Sequence, residues 1–442
     1  MLDPENGGPT FLYDAPDRIS KGYPGCGECI LSIARLNKTD DKYLKVFTRD
    51  ERGGDPVKIT CQNMTKGARN GPVDFPSTIW KNGDHYNFIA QGARFTTKDK
   101  SFREWARVVE ANPAHPDMIG CRENGGQWWI PTPNQVGGAP PSAGTPNQLV
   151  NCGGGNTYRI GDYYPGNESF VWDGTSVAQL EHGEAGWWGA QGGAANNGRM
   201  MMIGWVKDYH GDAGPGIPFL TRMTLVREVN WDTKSQNLVS KPVPELLKLR
   251  SGSIASEMVA SLGGAPHVVA KTGGGGGASA DVVIRFSGFK NASNGKFGAC
   301  VLGDGTLGTN RSGIGITISL VQSPGVPGIQ GVNIVSGACQ VGQATDGADE
   351  AGSKTTNQTM RIFEDEAELA VRVLPDRSVA DWFVQGGRWA ATNGWHPGPA
   401  PRKPEDSSVM LWSSTEGVSA QVDVVGMGCG WMNPSFTYDP TM

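Results

Sequence analysis

The N-terminal part of the sequence is a series of short β-forming runs separated by turn residues. Between residues 10 and 100, such runs begin at Thr10, Cys29, Tyr43, Thr78 and His85, with Gly, Asp and Pro between them. No helical periodicity intervenes, which favours antiparallel sheets. The chain has 64 Gly and 29 Pro for tight turns, and its 14 Trp and 14 Phe supply bulk for packed β layers. The sequence therefore predicts an all-β protein.

The length predicts two domains, because 442 residues exceed the size at which a single core stops growing. Residues 198–250 contain two β-rich runs, then a proline-punctuated segment and a short helical turn at Leu246, Leu247 and Leu249. This pattern is typical of a domain junction, so we expect domains at residues 1–250 and 251–442. Ser251 to Met258 has the composition of a linker.

Composition and spacing exclude several functions. The net charge is -5 and no Lys/Arg-rich run occurs, so nucleic-acid binding is not expected. No apolar run approaches the roughly 20 residues that span a bilayer. The six His show no zinc-ligand spacing, and the glycine runs at 153–155 and 273–277 lack a phosphate-binding Lys-Ser/Thr. We expect no metal, no other cofactor and no membrane partner.

The cysteines and the glycosylation sequons indicate the cellular compartment in which the protein is expected. The eight Cys include one Cys-x-x-Cys, and they are compatible either with disulfides or with buried free thiols. Residues 1–6 lack the features of a secretion signal. Six Asn-x-Ser/Thr sequons in polar surroundings favour an extracellular or lumenal glycoprotein. These sequons begin at Asn37, Asn63, Asn167, Asn291, Asn310 and Asn357.

Three motifs at the junction occur in a recognisable order. A Gly-Trp strand at Gly204 is followed by an Arg-Glu strand at Arg227 and by the exit Pro-Val-x-Glu-Leu-x-x-Leu-Arg at 242–250. Together they resemble the closing propeller blade of glycoside hydrolase family 32, the invertase and fructosidase family. The resemblance implies a five-bladed type of β-propeller followed by a C-terminal β-sandwich. Because the family's first-blade motif is missing, we expect a propeller that is truncated at its N-terminus.

Other segments are similar to this family. Glu181-His-Gly resembles its Asp-Tyr-Gly motif, and Ser101 to Trp105 resembles a family turn in which Phe102 and Trp105 would be core residues. Residues 368–388 resemble the signature hairpin of the family's sandwich, with Asp381 near the usual Glu.

The resemblance implies a retaining β-fructofuranosidase, which needs a nucleophilic carboxylate and a general acid/base. The family's Asn-Asp-Pro-Asn-Gly nucleophile motif is absent, and Asp3 is the nearest match; it is either the nucleophile or part of a terminal turn. Asp74, in Val-Asp-Phe-Pro, corresponds to the transition-state stabiliser of Arg-Asp-Pro or else caps a loop. Glu123, in Cys-Arg-Glu, corresponds to the acid/base of Glu-Cys-Pro or else is a solvated turn residue.

Aromatic residues complete the predicted site. Trp128 and Trp129 alternate across a predicted strand, so that one faces the core and the other stacks on sugar. We take Trp80, Trp128 and Trp187 as the candidates for binding a carbohydrate partner. Two hypotheses follow: a β-fructofuranosidase that hydrolyses sucrose or fructans, or an inactive carbohydrate-binding or structural glycoprotein that keeps the family fold.

Overall fold

The computed structural model describes only part of the chain, including most of residues 221–303 and 356–428. The described ranges are 10–14, 31–36, 47–49, 58–60, 79–90, 93–108, 147–152, 157–164, 169–172, 178–183, 188–194, 199–207, 221–235, 237–271, 279–291, 295–303, 313–322, 330–340, 343–344, 356–376, 379–394 and 408–428.

The chain divides into two compact units, residues 1–179 with 188–204, and residues 180–187 with 205–442. The domain boundary at residue 250 stays a prediction. Regular structure in both units is almost entirely β, which confirms the predicted class. Within the described ranges, no helix has the length and hydropathy that a bilayer crossing requires.

The first unit contains short strands in small sheets. The strands are β1 (Thr10–Asp14), β2 (Leu31–Leu36), β3 (Phe47–Arg49), β4 (Lys58–Thr60), β5 (Trp80–Asn82), β6 (His85–Ala90), β7 (Ala93–Thr97), β8 (Glu104–Val108), β9 (Asn147–Cys152), β10 (Thr157–Tyr164), β11 (Ser169–Trp172), β12 (Ala178–Gln179), β13 (Trp188–Ala194) and β14 (Met200–Lys207), which ends in the second unit.

These strands form successive sheets in chain order, as in the blades of a propeller. The first sheet has the order β1-β2-β3, and the second has the order β4-β8-β7-β6-β5, with β4 parallel to β8 and the other pairs antiparallel. In the third, β10 pairs with β9, β11 and β12. A fourth begins with β13 beside β14.

The second of these sheets has an aromatic core beside its predicted turn. Phe102 and Trp105 are each 1% exposed, as the sequence predicted. Trp105 packs edge-on against Phe88 with ring centroids 4.6 Å apart, and Phe102 packs edge-on against Tyr86 at 5.0 Å. Such contacts add to the free energy of burying the rings.

The turn before β8 is held by one carboxylate. Asp99 accepts hydrogen bonds from the backbone N–H groups of Ser101 at 2.8 Å and Arg103 at 2.8 Å, and from the Ser101 hydroxyl. They hold Phe102 at a positive φ of 59°, which is uncommon outside glycine. Burial acts to raise the pKa of Asp99, but the hydrogen bonds outweigh it and hold the pKa below its usual value.

The second unit contains the longer strands. They are β15 (Thr221–Met223), β16 (Arg227–Asp232), β17 (Asn237–Pro242), β18 (Arg250–Val259), β19 (His267–Lys271), β20 (Ala280–Ser287), β21 (Lys296–Gly303), β22 (Ile314–Gln322), β23 (Gln330–Gln340), β24 (Gln343–Ala344), β25 (Thr356–Ile362), β26 (Glu368–Asp376), β27 (Val379–Val384), β28 (Trp389–Gly394), β29 (Ser408–Ser413) and β30 (Ser419–Met427). Short 3-10 helices span Pro244–Leu249, Phe289–Asn291 and Gln385–Gly387.

Two large sheets form the predicted β-sandwich. One has the order β18-β30-β20-β26-β27-β28, and the other has the order β19-β29-β21-β22-β23-β24, with β25 also paired to β23. Residues of alternating burial line the space between them; in β30, for example, Ala420, Val422 and Val424 are buried. One hydrophobic core includes residues of both sheets, with Trp382 and Trp389 among its largest side chains.

The predicted linker at Ser251 to Met258 is wrong. These residues lie in β18, an edge strand of the six-stranded sheet that pairs antiparallel with β30. The register shifts twice, between Arg250 and Gly252 and between Ser253 and Ala255. Small polar residues are compatible with an edge strand that is largely exposed, so composition alone did not distinguish this strand from a linker.

The Gly-Gly of the sandwich hairpin contacts β17 of the preceding segment. Gly386 and Gly387 have positive φ values of 66° and 94°. A Cβ on Gly387 would lie 2.1 Å from the carbonyl oxygen of Ser240, whereas a Cβ on Gly386 would meet nothing within 4 Å. The backbone conformation favours glycine at both positions, but only Gly387 also needs it for close packing.

We predict that Gly387→Ala destabilises the protein by several kcal/mol, because the methyl group must displace the Ser240 backbone as well as adopt a positive φ. Gly386→Ala is the matched control and should cost about 1 to 2 kcal/mol, since it has only the conformational penalty. Urea unfolding of both variants measures the difference. Equal losses would contradict the proposed packing requirement.

Candidate functional site

The predicted catalytic residues Asp3, Asp74 and Glu123 lie outside the residues that the structure describes, as do Trp128 and Trp187. Trp80 begins β5, where its backbone pairs with Asn87. The roles assigned to these residues stay predictions.

The most fully defined polar site in the described part of the chain is centred on Arg227 of β16. Its side chain is fully buried and lies between two carboxylates. Nη1 donates to Glu181 Oε2 at 2.6 Å, and Nη2 donates to Asp381 Oδ1 at 2.6 Å. The Glu181 and Asp381 side chains are 0% and 3% exposed, so all three charged groups have been removed from water.

Thr392 of β28 connects the two carboxylates. Its backbone N–H donates to Glu181 Oε1 at 2.5 Å, and its hydroxyl donates to Asp381 Oδ1 at 2.7 Å. The backbone N–H of Gly183 also donates to Glu181 Oε1, at 2.8 Å. Buried charges are stable only where such partners replace water, and this site supplies several for each carboxylate.

The loop that contains Glu181 is fixed against β28. His182 donates its backbone N–H to the carbonyl of Ala390 at 2.8 Å, and its ring stacks on Trp389 with centroids 5.5 Å apart. Gly183 approaches β28 so closely that a Cβ would lie 2.0 Å from the Thr392 carbonyl oxygen. The Gly of the Glu-His-Gly motif is therefore required by packing.

Burial has the largest effect on the pKa of Glu181. Loss of water raises the pKa of this carboxyl, and the neighbouring Asp381 acts in the same direction. Arg227 and the two backbone N–H groups oppose the shift, but the pKa remains above its usual value. Arg227 also lies over the ring of Phe383, 4.9 Å from its centroid, which adds a cation–π contact.

This arrangement stabilises the fold and is unsuited to glycoside hydrolysis. In a retaining glycosidase the two carboxyl groups, about 5 Å apart, flank the sugar. Here Glu181 and Asp381 flank a guanidinium instead, and neither is exposed.

A second buried carboxylate, Asp281 of β20, joins two further arginines. Arg250 of β18 donates to Asp281 Oδ2 from Nε at 2.8 Å and from Nη2 at 2.6 Å. Arg372 of β26 donates to Oδ1 at 2.8 Å and to Oδ2 at 2.7 Å. Asp281 is fully buried, whereas the arginine side chains are partly exposed. Two motif positions, the exit Arg250 and the hairpin Arg372, thus meet at one carboxylate.

A third contact joins the β16–β17 turn to the segment between β25 and β26. Lys234 donates to both carboxylate oxygens of Asp365, at 2.7 and 2.8 Å. Its ammonium lies 4.5 Å from the centroid of Phe363, which the guanidinium groups of Arg361 and Arg388 also approach, at 4.9 Å each. The turn is thereby fixed to the sandwich.

Sequence reasoning did not predict the Arg227 cluster, although it singled out the three segments that form it. Each segment has a charged residue at a motif position, namely Glu181, Arg227 and Asp381, and this could have indicated an ion pair between the segments. As for metals, no group of three or more His, Cys, Asp or Glu side chains suited to hold an ion occurs among the described residues.

The chain is thus a protein with a β-propeller followed by a β-sandwich. The family profile "Glycosyl hydrolases family 32 N-terminal domain" matches residues 75–242. No sequence among curated proteins matches the chain.

Solved structures share this architecture at low identity. Fructan 1-exohydrolase IIa from Cichorium intybus is 16% identical, with a TM-score of 0.67, over 97% of this chain and 82% of that one. Exo-inulinase from Aspergillus awamori is 16% identical, with a TM-score of 0.61, over 91% and 75%. A β-fructofuranosidase of family 32 from Bombyx mori is 16% identical, with a TM-score of 0.55, over 90% and 72%.

These findings confirm the resemblance inferred from sequence. The chain is a glycoside hydrolase family 32-like protein in its fold.

We predict that Arg227→Met lowers the free energy of unfolding by about 3 to 5 kcal/mol, because it leaves two buried carboxylates without their shared cation. The matched control is Arg285→Met. Arg285 pairs with Asp423 at 3.3 Å but is 41% exposed, so its loss should cost less than about 1 kcal/mol. Urea unfolding at neutral pH measures both. A loss below about 1 kcal/mol for Arg227→Met would contradict the structural role.

Proposed function

We propose that the chain is a β-fructofuranosidase that hydrolyses the fructosyl bonds of sucrose or fructans with retention of configuration. The observation that carries the proposal is the family 32 match to residues 75–242, which contain Glu123, Trp80, Trp128 and Trp187. The names of the structural neighbours, which include a fructan exohydrolase and an exo-inulinase, support this substrate class.

Each predicted residue then has a chemical role. Glu123 protonates the departing glycosidic oxygen and later activates water, as the acid/base of a retaining enzyme does. Asp74 holds sugar hydroxyls through the oxocarbenium-like transition state, and Asp3 is the nucleophile that forms the fructosyl intermediate. The three Trp side chains stack against the sugar rings.

A second candidate is a carbohydrate-binding protein without catalytic activity. It is favoured by the altered motifs, because Cys121 precedes Glu123 instead of following it, and Phe75 separates Asp74 from Pro76. A site with displaced carboxylates can still bind a sugar through aromatic rings and hydroxyl-bonding groups.

We predict that the purified chain releases fructose from sucrose or inulin, and that Glu123→Gln lowers kcat by about 10²- to 10⁴-fold, because the amide cannot transfer a proton. Glu416→Gln, in an exposed turn of the sandwich, is the matched control and should retain full activity. Absence of hydrolysis by the parent chain, with retained inulin binding in calorimetry, would select the second candidate. Absence of both hydrolysis and binding would contradict both.

We further propose an extracellular or lumenal location with N-glycans. The six sequons and the even number of cysteines support this location, since disulfides persist in oxidising compartments. We predict that peptide-N-glycosidase lowers the intact mass of the protein secreted by a eukaryotic host and converts occupied sequon Asn residues to Asp, as peptide mass spectrometry detects. Asn237, which is not in a sequon, is the internal control. An unchanged mass would contradict the glycoprotein proposal.

A further inference from the structure

The interior of the sandwich contains polar side chains that have no hydrogen-bond partner in the described part of the chain. Trp382, Trp389, Asn393 and Ser336 are each at most 1% exposed. Among the residues that the structure describes, the indole N–H groups, both polar side-chain atoms of Asn393 and the hydroxyl of Ser336 have no hydrogen-bond partner. Burying one such group without a partner costs free energy, so several in one core require an explanation.

Strand register places three of these residues on one face of the six-stranded sheet. Asn393 lies opposite Ala380, and Trp382 lies opposite Ala391. Trp389 and Ala391 belong to the central hydrophobic core, and side chains two apart on a strand share a face. Asn393 therefore also points into the space between the sheets, next to Trp382.

Ser336 reaches the same space from the other sheet. Val332 and Ile334, its alternate neighbours on β23, belong to the central core, so Ser336 also faces inward. Strand β23 contacts β28, the strand of Asn393, across the sandwich. The four unpartnered residues thus lie in the space between the sheets, and strands β28 and β23, which contain three of them, contact each other. We call this set of side chains the sandwich polar pocket.

The chemistry of the pocket selects its ligand. The two indoles only donate hydrogen bonds, whereas the Asn393 amide and the Ser336 hydroxyl both donate and accept. None of these four groups carries a charge, which disfavours an anion or a metal ion. We propose that the sandwich polar pocket binds one or more ordered water molecules that bridge Asn393 to Ser336 and link the two sheets. An internal water typically makes about three hydrogen bonds, which these groups can supply.

Asn393→Leu in the full-length chain tests the proposal, because leucine has a similar volume and excludes water. We expect the number of long-lived internal waters, counted by magnetic relaxation dispersion, to fall by at least one. We also expect the folding equilibrium constant to fall about tenfold, or about 1.4 kcal/mol, since the other groups lose their bridging partner. Ser336→Ala should lower the number of internal waters similarly. This variant tests the proposal if Asn393→Leu does not fold.

Ser413→Ala is the matched control. Ser413 is equally buried, but its hydroxyl donates to the carbonyl of Thr415 at 2.8 Å, so the water count should not change. An unchanged count in Asn393→Leu and Ser336→Ala would overturn the proposal, whatever happens to stability. An increase in stability with Asn393→Leu would also overturn it, since removing dry, unsatisfied groups is the change that stabilises a core.

Discussion

The buried guanidinium of Arg227 joins three segments that are far apart in the sequence. Glu181 lies 46 residues before it, and Asp381 lies 154 residues after it. Removing these charges from water costs several kcal/mol per ion, and the cost is offset only when the cluster is complete. The Glu181 loop, β16 and the β27–β28 hairpin therefore gain stability together. This explains why residues 180–187 belong to the same compact unit as residues 205–442.

Further contacts join the sandwich to the segment that precedes it, which runs from β16 to Arg250. Strand β17 packs closely against Gly387 at Ser240. In the β16–β17 turn, Lys234 forms an ion pair with Asp365. At the start of β18, Arg250 forms an ion pair with Asp281. An ion pair as exposed as that of Lys234 contributes little alone, whereas the buried cluster is costly to break. The segment thus folds onto the sandwich mainly through Arg227 and close backbone packing, with surface pairs in a secondary role.

Local patterns predicted much of this fold. The β class, the turn at Leu246 to Leu249 and the burial of Phe102 and Trp105 all follow from residues close in sequence. The Arg227 cluster did not follow, because its partners meet only after the sheets have packed, and propensity contains no information on such distant contacts. The linker prediction failed for a related reason: pairing with β30 makes β18 a strand despite its composition. The catalytic assignments rest on resemblance alone.

A likeness to the family can reflect either the fold or the catalytic activity, and the structure distinguishes the two. The motifs at Glu181, Arg227 and Asp381 are charged, yet each is explained by burial and packing. In this chain they join segments of the scaffold, a role that does not require it to cleave a sugar. Likeness at these positions therefore supports the fold and is neutral on activity, because function depends on the site that a scaffold supports. The proposed hydrolysis would instead depend on Asp3, Asp74 and Glu123, which belong to other segments of the chain, so the likeness at Glu181, Arg227 and Asp381 carries no information about it.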